Sequence, residues 1–404
     1  MSFQKINKCR LCKSAKMTVV LPLESTPIGD DYLKVKNLKQ KKFPLKLLRC
    51  INCNFVQLSV NIDANEVYGD YLYVTKTSAG LPEHFKKLIH ILEKKKIIYK
   101  NSKVLEIGCN DGTLLSFLEK KNCKVLGIDP AVKIVKKLNF KIINDLYDLK
   151  LAKKISNKYG DFDTVIANNV IANIDNLDNI FRAISLNLNN NGKFVMETFS
   201  LYGLLKNNLL DNIYHEHISY LSIEPLKNFA KKFGLYLKSA DHLKVKGGSL
   251  RLIFSKSKTT TTEKEKLSKM IYKENLVVKK KASFEKIKKM NIKNNKKIFE
   301  FIKKNFDKGH KIYGYGASVG TTTNIYNLKI QKFVEGIFDD EKLRHGLFLP
   351  GTNIKVINPK KIKTFKPNII VIFAWRYVKN ILLKKYIPKN TKILIPLPNI
   401  KIIG

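Results

Sequence analysis

The sequence has few acidic residues, a single tryptophan and no long apolar run, and each shortage limits what the chain can be. Asp and Glu number 33 against 76 Lys and Arg, so the formal net charge of the 404 residues is +43. No stretch approaches the roughly 18 consecutive apolar residues that a membrane helix needs. Residues 1–16 also lack the apolar core of a signal peptide. We therefore expect a cytoplasmic protein with no membrane partner.

The basic excess is spread along the whole chain. Lysine dominates it and occurs from Lys5 to Lys401, whereas proteins that bind nucleic acid usually collect basic side chains on one surface. We therefore expect no nucleic-acid partner and a general preference for anionic ligands, such as nucleotide-linked substrates. A basic nucleic-acid-binding protein with a zinc ribbon remains an alternative at this point.

Length and pattern predict three regions. A chain of 404 residues exceeds the size at which one hydrophobic core stops growing, and 44% hydrophobic with 27% charged residues is typical of globular proteins. Residues 1–66 are expected to form a short-looped module. Residues 67–256 alternate helical and strand patterns, and residues 257–404 contain one or two Lys-rich bridging helices followed by a second alternating unit. The predicted strands are 103–107, 124–128, 163–168, 193–198, 311–315, 333–338, 369–373 and 392–396.

Four of the six cysteines stand in two C-x-x-C pairs, Cys9 with Cys12 and Cys50 with Cys53. This doubled spacing suits a tetrahedral zinc site with four thiolate ligands. Such a site has no position left for a reacting water, so the expected role of zinc is structural. The alternative is a pair of disulfides, which cytoplasmic proteins rarely keep.

A glycine-rich loop follows the first strand of the middle region, in V-L-E-I-G-C-N-D-G-T-L-L at residues 104–115. Glycines let the backbone turn sharply and approach a ligand, and the next helix presents free N–H groups. Asp129 ends the following strand about 20 residues later, where a carboxylate can bind ribose hydroxyls. The E-x-G-x-x-x-G form resembles the first motif of class I S-adenosylmethionine methyltransferases, although a plain tight turn is possible. The candidate cofactor-binding residues are Glu106, Gly108, Asn110, Gly112, Asp129, Asp145 and Asn168.

A second glycine run, G-Y-G-A-S-V-G, occupies residues 314–320 between a predicted strand and a predicted helix. Three interpretations stay open for it. The run could contact the nucleotide or pyrophosphate of a substrate, form a turn without any ligand, or bind a nicotinamide cofactor. Asp339 and Asp340 are the only candidate ribose-binding residues that follow it.

Four functional side chains stand together in Tyr214, His215, Glu216 and His217. In an extended or irregular segment the first and third would face one side and the two histidines the other. A histidine can remove a proton next to a carbonyl group, and a tyrosine hydroxyl can bind the resulting enolate oxygen. A hydrogen-bonded core cluster is the alternative, whereas a metal site is disfavoured because no H-E-x-x-H spacing exists.

The motifs in order resemble those of the three-domain sugar C-methyltransferases. They are the two C-x-x-C pairs, D-Y-L-Y at residues 70–73, the glycine loop, Y-H-E-H at 214–217, G-G-S-L-R at 247–251 and Y-G-A-S at 315–318. The resemblance implies an α/β fold, with a Rossmann-type class I methyltransferase core between a small zinc-binding module and a C-terminal Rossmann-like domain. It also implies S-adenosylmethionine as cofactor and methylation of a ring carbon in a nucleotide-linked 4-keto-6-deoxy sugar.

By the same resemblance, His217 removes the proton alpha to the ketone, Tyr214 supports the enolate, and Glu216 lies near both. The candidate substrate-binding residues are Tyr71, Tyr73, Asn173, Ser249 and Arg251. Asn173 replaces a histidine of the family, and residues 319–322 read V-G-T-T where the family has K-G-N-T. The alternative function is O- or N-methylation of a sugar or glycan precursor. Monomer and homodimer remain equally open.

Overall fold

The computed structural model describes residues 3–63, 66–67, 74–78, 80–131, 140–384 and 386–404. In these ranges no helix is long and apolar enough to cross a membrane. The chain forms an N-terminal sheet, a central seven-stranded sheet and a C-terminal six-stranded sheet. Both larger sheets are covered by helices.

The N-terminal region contains a small antiparallel sheet and a separate two-stranded one, and it is more regular than the short-looped module that the sequence predicts. Its strands are β1 (Phe3–Lys5), β2 (Met17–Thr26), β3 (Phe43–Cys50), β4 (Val56–Leu58) and β5 (Val60–Ile62). Alternate residues of β3, namely Phe43, Leu45 and Leu47, are fully buried, as the two-residue period of a strand requires. Strands β2, β3 and β4 pair in order, and β1 pairs with β5.

The central region alternates helices and strands, as its sequence pattern predicts. The strands are β6 (Lys103–Ile107), β7 (Lys124–Ile128), β8 (Ile142–Ile143), β9 (Phe162–Asn168), β10 (Leu188–Phe199), β11 (Ser219–Tyr220), β12 (Tyr236–Leu243) and β13 (Ser249–Ser255). The helices are α1 (Leu81–Lys94), α2 (Thr113–Glu119), α3 (Leu149–Tyr159), α4 (Leu177–Asn187), α5 (Leu201–Asn207) and α6 (Ile223–Lys231). Strand β10 is longer than predicted at both ends: it begins at Leu188, which pairs with Phe162 of β9, and it ends at Phe199, which lies opposite Ser249 of β13.

The strand order of the central sheet is β12-β13-β10-β9-β6-β7-β8. Strands β6 to β10 are parallel, and by position in the chain they stand in the order 3-2-1-4-5, which is that of a Rossmann-type sheet. Strands β12 and β13 add an antiparallel hairpin at one edge. The predicted Rossmann-type core is therefore confirmed.

Strand β11 leaves the central region and joins the N-terminal sheet. It pairs with β4, Ser219 opposite Gln57, so the N-terminal sheet has the order β11-β4-β3-β2. Tyr220 is buried in one cluster with Leu45 and Leu58 of the N-terminal sheet. The sequence gives no sign of this pairing, because a two-residue strand has no readable periodicity. The segment just before β11 is consequently fixed between two sheets.

Two helices link the central region to the C-terminal one, α7 (Thr261–Val278) and α8 (Lys281–Phe306). The threonines that precede them start the first helix, since the Thr260 hydroxyl accepts a hydrogen bond from the backbone N–H of Glu263. The C-terminal sheet contains β14 (Ile312–Tyr315), β15 (Gly336–Phe338), β16 (Lys355–Ile357), β17 (Ile369–Ile372), β18 (Lys392–Ile395) and β19 (Lys401–Ile403). Its helices are α9 (Val319–Leu328), α10 (Ile362–Phe365) and α11 (Val378–Leu382).

The C-terminal sheet has the order β16-β15-β14-β17-β18-β19, and all but the last strand are parallel. The parallel strands again stand in the order 3-2-1-4-5, so the predicted Rossmann-like C-terminal unit is confirmed. Strand β15 is shorter than predicted because Phe333 still belongs to a turn, in which its N–H donates to the carbonyl oxygen of Ile330. In a sheet of this order, ligands are expected beside the carboxyl ends of β14 and β17. The strand order reverses between these two strands, which is called the topological switch point of the sheet.

Candidate active site

The first glycine loop lies at the carboxyl end of β6, at the switch point of the central sheet. Gly108 has a φ of +71°, and a Cβ atom there would come within 2.2 Å of the Val170 side chain. Gly112 caps α2 in the left-handed conformation. Side chains at these two positions would be strained or would clash, so the sequence places glycine where the backbone needs it.

Asp129 connects this loop to the end of β7. Its two carboxylate oxygens accept hydrogen bonds from the backbone N–H groups of Asn110 and Ala131, each at 2.8 Å. Burial raises the pKa of this carboxyl, and the two hydrogen bonds oppose that rise. Each carboxylate oxygen keeps a second lone pair for a ligand hydroxyl.

Two buried side chains beside the loop have polar atoms without a protein partner in the described part of the chain. They are Oε2 of Glu106 and both amide atoms of Asn168, at the ends of the neighbouring strands β6 and β9. Burial, followed by the charges of Asp129 and Asp111, raises the pKa of Glu106 well above its usual range. Buried polar groups are normally paired, so these atoms fit a site that a polar ligand completes.

The other two candidate cofactor-binding residues differ in their surroundings. Asn110 is buried, and its side-chain oxygen accepts a hydrogen bond from the backbone N–H of Thr75. Asp145 is exposed beyond β8, and one of its oxygens accepts from the N–H of Leu146. The contact that the loop after β8 makes with Asp129 comes instead from Asn144, whose amide donates to the Asp129 carbonyl oxygen at 2.7 Å.

Residues 214–217 form a turn rather than an extended segment. The N–H of His217 donates to the Tyr214 carbonyl oxygen at 3.1 Å, so the first and last side chains of the turn come together. The Tyr214 hydroxyl lies 2.8 Å from Nε2 of His217. The alternation expected for an extended chain is therefore wrong, because side chains three residues apart share one side of a turn.

The other ring nitrogen of His217 is fixed by the backbone. Nδ1 lies 2.9 Å from the carbonyl oxygen of Asn212, and a carbonyl oxygen only accepts hydrogen bonds. Nδ1 must therefore hold a proton. In the neutral ring Nε2 is then the acceptor, and the Tyr214 hydroxyl donates to it.

The surroundings of His217 favour its neutral form. Its ring stacks on Phe199 at the end of β10, with ring centroids 4.0 Å apart and an angle of 23° between the planes. Desolvation lowers the pKa of His217 to about 3 and raises the pKa of Tyr214 well above its usual range. Both side chains are therefore uncharged near neutral pH.

The two middle residues of the turn are buried. His215 faces the N-terminal sheet, where its ring packs edge-on against Phe43, and desolvation lowers its pKa to about 4. Glu216 is 5% exposed, and neither of its carboxyl oxygens has a hydrogen-bond partner in the described residues. Burial raises the pKa of Glu216 to about 8, so this carboxyl holds its proton at neutral pH.

The candidate substrate-binding residues fall into three groups. Tyr71 and Tyr73 lie outside the described residues. Asn173 ends a short 3-10 helix after β9, and its buried side-chain oxygen has no partner in the part of the chain that the structure describes. Ser249 and Arg251 lie on β13, where they are buried.

The polar contacts of Ser249 and Arg251 are made inside the protein. The Ser249 hydroxyl donates to the carbonyl oxygen of Val245, and Nε of Arg251 donates to a Glu197 oxygen at 2.5 Å. The second Glu197 oxygen lies 2.5 Å from Nε2 of His84. The structure thus places Arg251 opposite Glu197 of β10, and Glu197 in turn lies opposite Asn168 of β9. Substrate binding by Arg251 stays a prediction.

The four paired cysteines meet at one point of the N-terminal region. Their sulfur atoms all lie within 4.8 Å of one another, and none of them is in a disulfide. Sulfurs in a tetrahedral site with a Zn–S distance of about 2.3 Å are separated by about 3.8 Å. Each pair closes a similar turn, because Lys13 and Asn54, the residues after Cys12 and Cys53, both have a φ near +60°. The donor set and its geometry fit zinc.

This cluster also packs against the central sheet. Cys9, Leu11 and Phe55 are buried in the same hydrophobic core as residues of β6 and β9. Nε of Arg10 donates to Asp175 at 3.1 Å, and Lys13 pairs with Asp178 at the start of α4. A metal held by these thiolates would thus stabilise the contact between the two regions as well as the module itself.

Several residues at the site have no motif that marks them. Phe199 stacks on His217, Asn212 accepts its Nδ1 proton, and Asp211 is held by Trp375 and Arg376 from the C-terminal region. Asp211 is the third residue before the predicted cluster. Its acidic side chain, so close to the cluster, is a sequence signal that could have marked it as a candidate. The partners from the C-terminal region could not have been found, because more than 160 positions separate them from Asp211.

Three family models match consecutive parts of the chain. They describe a zinc binding domain at residues 9–68, a methyltransferase domain at 80–240 and a C-methyltransferase C-terminal domain at 244–398. The chain is therefore a methyltransferase with the domains of the C-methyltransferases, which confirms the resemblance seen in its motifs. A curated relative, the C-methyltransferase NovU of Streptomyces niveus, is 23% identical over 408 residues, which cover 99% of this chain and 97% of the relative.

Two similar solved structures each cover about half of this chain. The PH0226 protein from Pyrococcus horikoshii is 21% identical, covering 47% of this chain and 98% of its own, with a TM-score of 0.37. Magnesium protoporphyrin IX methyltransferase from Synechocystis, solved with bound SAM, is 15% identical and covers 48% of this chain and 89% of its own, with a TM-score of 0.33. The Rossmann type of the central sheet rests on its own strand order.

Replacing one thiolate ligand tests the metal site. We expect Cys50→Ser to reduce the zinc content of the purified full-length protein and to lower its melting temperature, because three thiolates hold the metal less tightly and the cluster is part of the core. Elemental analysis and thermal unfolding measure the two effects. Cys123→Ser, at a buried cysteine outside the cluster, should keep the zinc content of the wild type. A wild-type protein purified without zinc would contradict the assignment.

Proposed function

We propose that this methyltransferase transfers a methyl group from S-adenosylmethionine to a carbon atom alpha to the ketone of a nucleotide-linked 4-keto-6-deoxy sugar. The match to C-methyltransferases favours carbon as the acceptor, and one observation at the site is consistent with it. The His217 ring is held neutral, with its Nδ1 proton on a backbone oxygen and its Nε2 lone pair directed at the Tyr214 hydroxyl. A carbon acid needs such a base, since the proton must leave before the carbon can attack.

The residues that would hold S-adenosylmethionine are those at the switch point of the central sheet. Asp129 would bind the ribose hydroxyls, and the backbone of Gly108 to Gly112 allows close approach of the ligand. Glu106 and Asn168 have buried polar atoms that a bound cofactor would satisfy. When bound, the cofactor supplies an electrophilic methyl group on a sulfonium centre.

In the proposed reaction, Nε2 of His217 accepts the proton from the carbon next to the ketone. For this transfer the Tyr214 hydroxyl turns from Nε2 to the ketone oxygen, which frees the Nε2 lone pair, and it then donates a hydrogen bond to the enolate oxygen while the abstracted proton stays on Nε2. The Nδ1–H bond to Asn212 is kept throughout, so the ring does not have to rotate. The low pKa of His217 in its desolvated pocket means that the imidazolium forms only beside the developing negative charge of the substrate.

Glu216 is proposed to act in its protonated form. A buried carboxyl with a pKa near 8 is a hydrogen-bond donor at neutral pH, and its two oxygens have no other described partner. It can therefore donate to an oxygen of the substrate without adding negative charge beside the enolate. An ionised carboxylate in the same place would oppose enolate formation.

The remaining assignments follow the same proposal. The substrate cleft is proposed to be lined by Tyr71, Tyr73, Asn173, Ser249 and Arg251. The boundaries between the zinc-binding, methyltransferase and C-terminal units are proposed to lie at residues 66 and 256.

Four free thiols that together suit zinc are typical of a reducing compartment, which supports a cytoplasmic location.

The position of the transferred methyl group tests the reaction. With ¹³C-methyl-labelled S-adenosylmethionine and a panel of nucleotide-linked 4-keto sugars, we expect one product with its labelled methyl on a ring carbon, identified by its ¹³C shift and its mass. His217→Ala should lower kcat by about 10²- to 10⁴-fold, because the base is lost, with little change in cofactor affinity. His90→Ala, at an exposed histidine of α1, should keep the wild-type rate. A labelled methyl on oxygen or nitrogen would instead support the alternative function.

The pH dependence tests the role of Glu216. Its protonated fraction falls as the pH rises through about 8, so kcat/KM should decrease above that pH. Glu216→Gln keeps a hydrogen-bond donor and cannot ionise, so the variant should remain active and lose this decrease. Initial rates between pH 6 and 10 measure both profiles. The same alkaline decrease in the variant would show that another group titrates there.

A further inference from the structure

The C-terminal sheet presents its switch point to the central region. Strand β14 is followed by the glycine run of residues 314–320 and by α9, and strand β17 is followed by Trp375 and Arg376. In a Rossmann-type sheet a ligand is expected between these two loops. Here they contact Asp211, which belongs to the segment just before the 214–217 turn.

Both loops approach Asp211 closely. A Cβ atom on Gly320, in the first turn of α9, would come within 2.3 Å of the Asp211 carbonyl oxygen, so glycine is needed for the approach. Nε1 of Trp375 donates to an Asp211 carboxylate oxygen at 3.0 Å, and both terminal nitrogens of Arg376 donate to the carboxylate. An anionic side chain of the protein therefore lies between the two loops, beside the N-terminus of a helix and a guanidinium group.

Further contacts extend from Asp211 toward the turn. Arg376 donates to the side-chain oxygen of Asn212 at 3.2 Å and, through Nε, to the carbonyl oxygen of Lys246 at 3.0 Å. The Thr323 hydroxyl of α9 donates to the carbonyl oxygen of Ile213 at 2.9 Å. Each of the three residues before Tyr214 is thus held by the C-terminal region.

One of these three residues holds the proposed base. The Asn212 carbonyl oxygen accepts a hydrogen bond from the Nδ1 proton of His217, and this bond decides that Nε2 is the ring nitrogen with the lone pair. If the backbone at Asn212 turned away, Nδ1 would lose its partner and the proton could move to Nε2. A His217 ring protonated at Nε2 could not accept the substrate proton there.

We propose that Arg376 is a positioning residue of this methyltransferase, which fixes the tautomer of His217 by holding Asp211 and Asn212 in place. The inference rests on the proposed function, in which Nε2 of His217 is the base. Arg376 acts through its planar guanidinium group, which binds the carboxylate, the amide oxygen and the Lys246 carbonyl at the same time. A lysine would keep the positive charge, but its ammonium group could not make all of these hydrogen bonds at the same time.

NMR of the histidine ring nitrogens measures the tautomer of His217 directly. In full-length protein labelled with ¹⁵N-histidine, the ring nitrogens of His217 are assigned by comparison with His217→Ala. We expect the wild type to hold its proton on Nδ1, and Arg376→Ala to populate the Nε2-protonated form. The kcat of methyl transfer should fall by about 10- to 100-fold, with a smaller change in the KM for the sugar. Arg376→Lys should restore kcat in part.

Two further variants keep the test decisive. Arg182→Ala removes an arginine from the exposed face of α4 and should leave both the tautomer and kcat unchanged. Thr323→Val, nearly the same size as threonine, removes only the hydroxyl bond to Ile213 and should shift the tautomer in the same direction as Arg376→Ala. If Arg376→Ala does not fold, Thr323→Val still tests whether the C-terminal region fixes the His217 tautomer.

The outcomes separate this inference from the proposed function. A His217 tautomer and a kcat unchanged in both Arg376→Ala and Thr323→Val would overturn the positioning role. A shifted tautomer with full methyl-transfer activity would support the positioning role and contradict the assignment of His217 as the base. A shifted tautomer with reduced kcat would support both.

Discussion

The hydrogen bond between Nδ1 of His217 and the carbonyl oxygen of Asn212 determines what the proposed active site can do. It leaves Nε2 as the acceptor, next to the Tyr214 hydroxyl, and it does so without a charged partner. The segment that provides this carbonyl is fixed from both sides. Strand β11 ties its far end to the N-terminal sheet, and α9 with Arg376 holds its near end from the C-terminal sheet. All three regions of the chain therefore define the position of one ring.

The zinc-binding region has a similar dual role. Its thiolates form no part of the reacting groups, but its sheet receives β11 and its cysteine turns pack against the central core. The closed four-thiolate set leaves no position for a substrate. It fixes the segment that follows the 214–217 turn, which would be its contribution to the proposed reaction.

Much of this architecture was readable from local patterns. The two C-x-x-C pairs, the glycine loop with Asp129, and the Tyr214 to His217 cluster are each contiguous or regularly spaced, so each could be predicted without knowledge of the fold. The turn at 214–217 was not predicted, since nothing local distinguishes it from an extended segment. The contacts of Asp211 with Trp375 and Arg376 join residues more than 160 positions apart, and only the packing of two sheets brings them together.

Deuterium exchange tests most directly whether His217 removes a proton from carbon before the methyl group is transferred. The full-length enzyme is incubated in D₂O with the nucleotide-linked keto sugar but without S-adenosylmethionine, and the sugar is examined by NMR. We expect enzyme-dependent deuterium incorporation at the carbon alpha to the ketone, and no such incorporation with His217→Ala. Exchange at the wild-type rate in that variant would contradict it, as would a wild type that methylates the sugar carbon with no exchange under any condition.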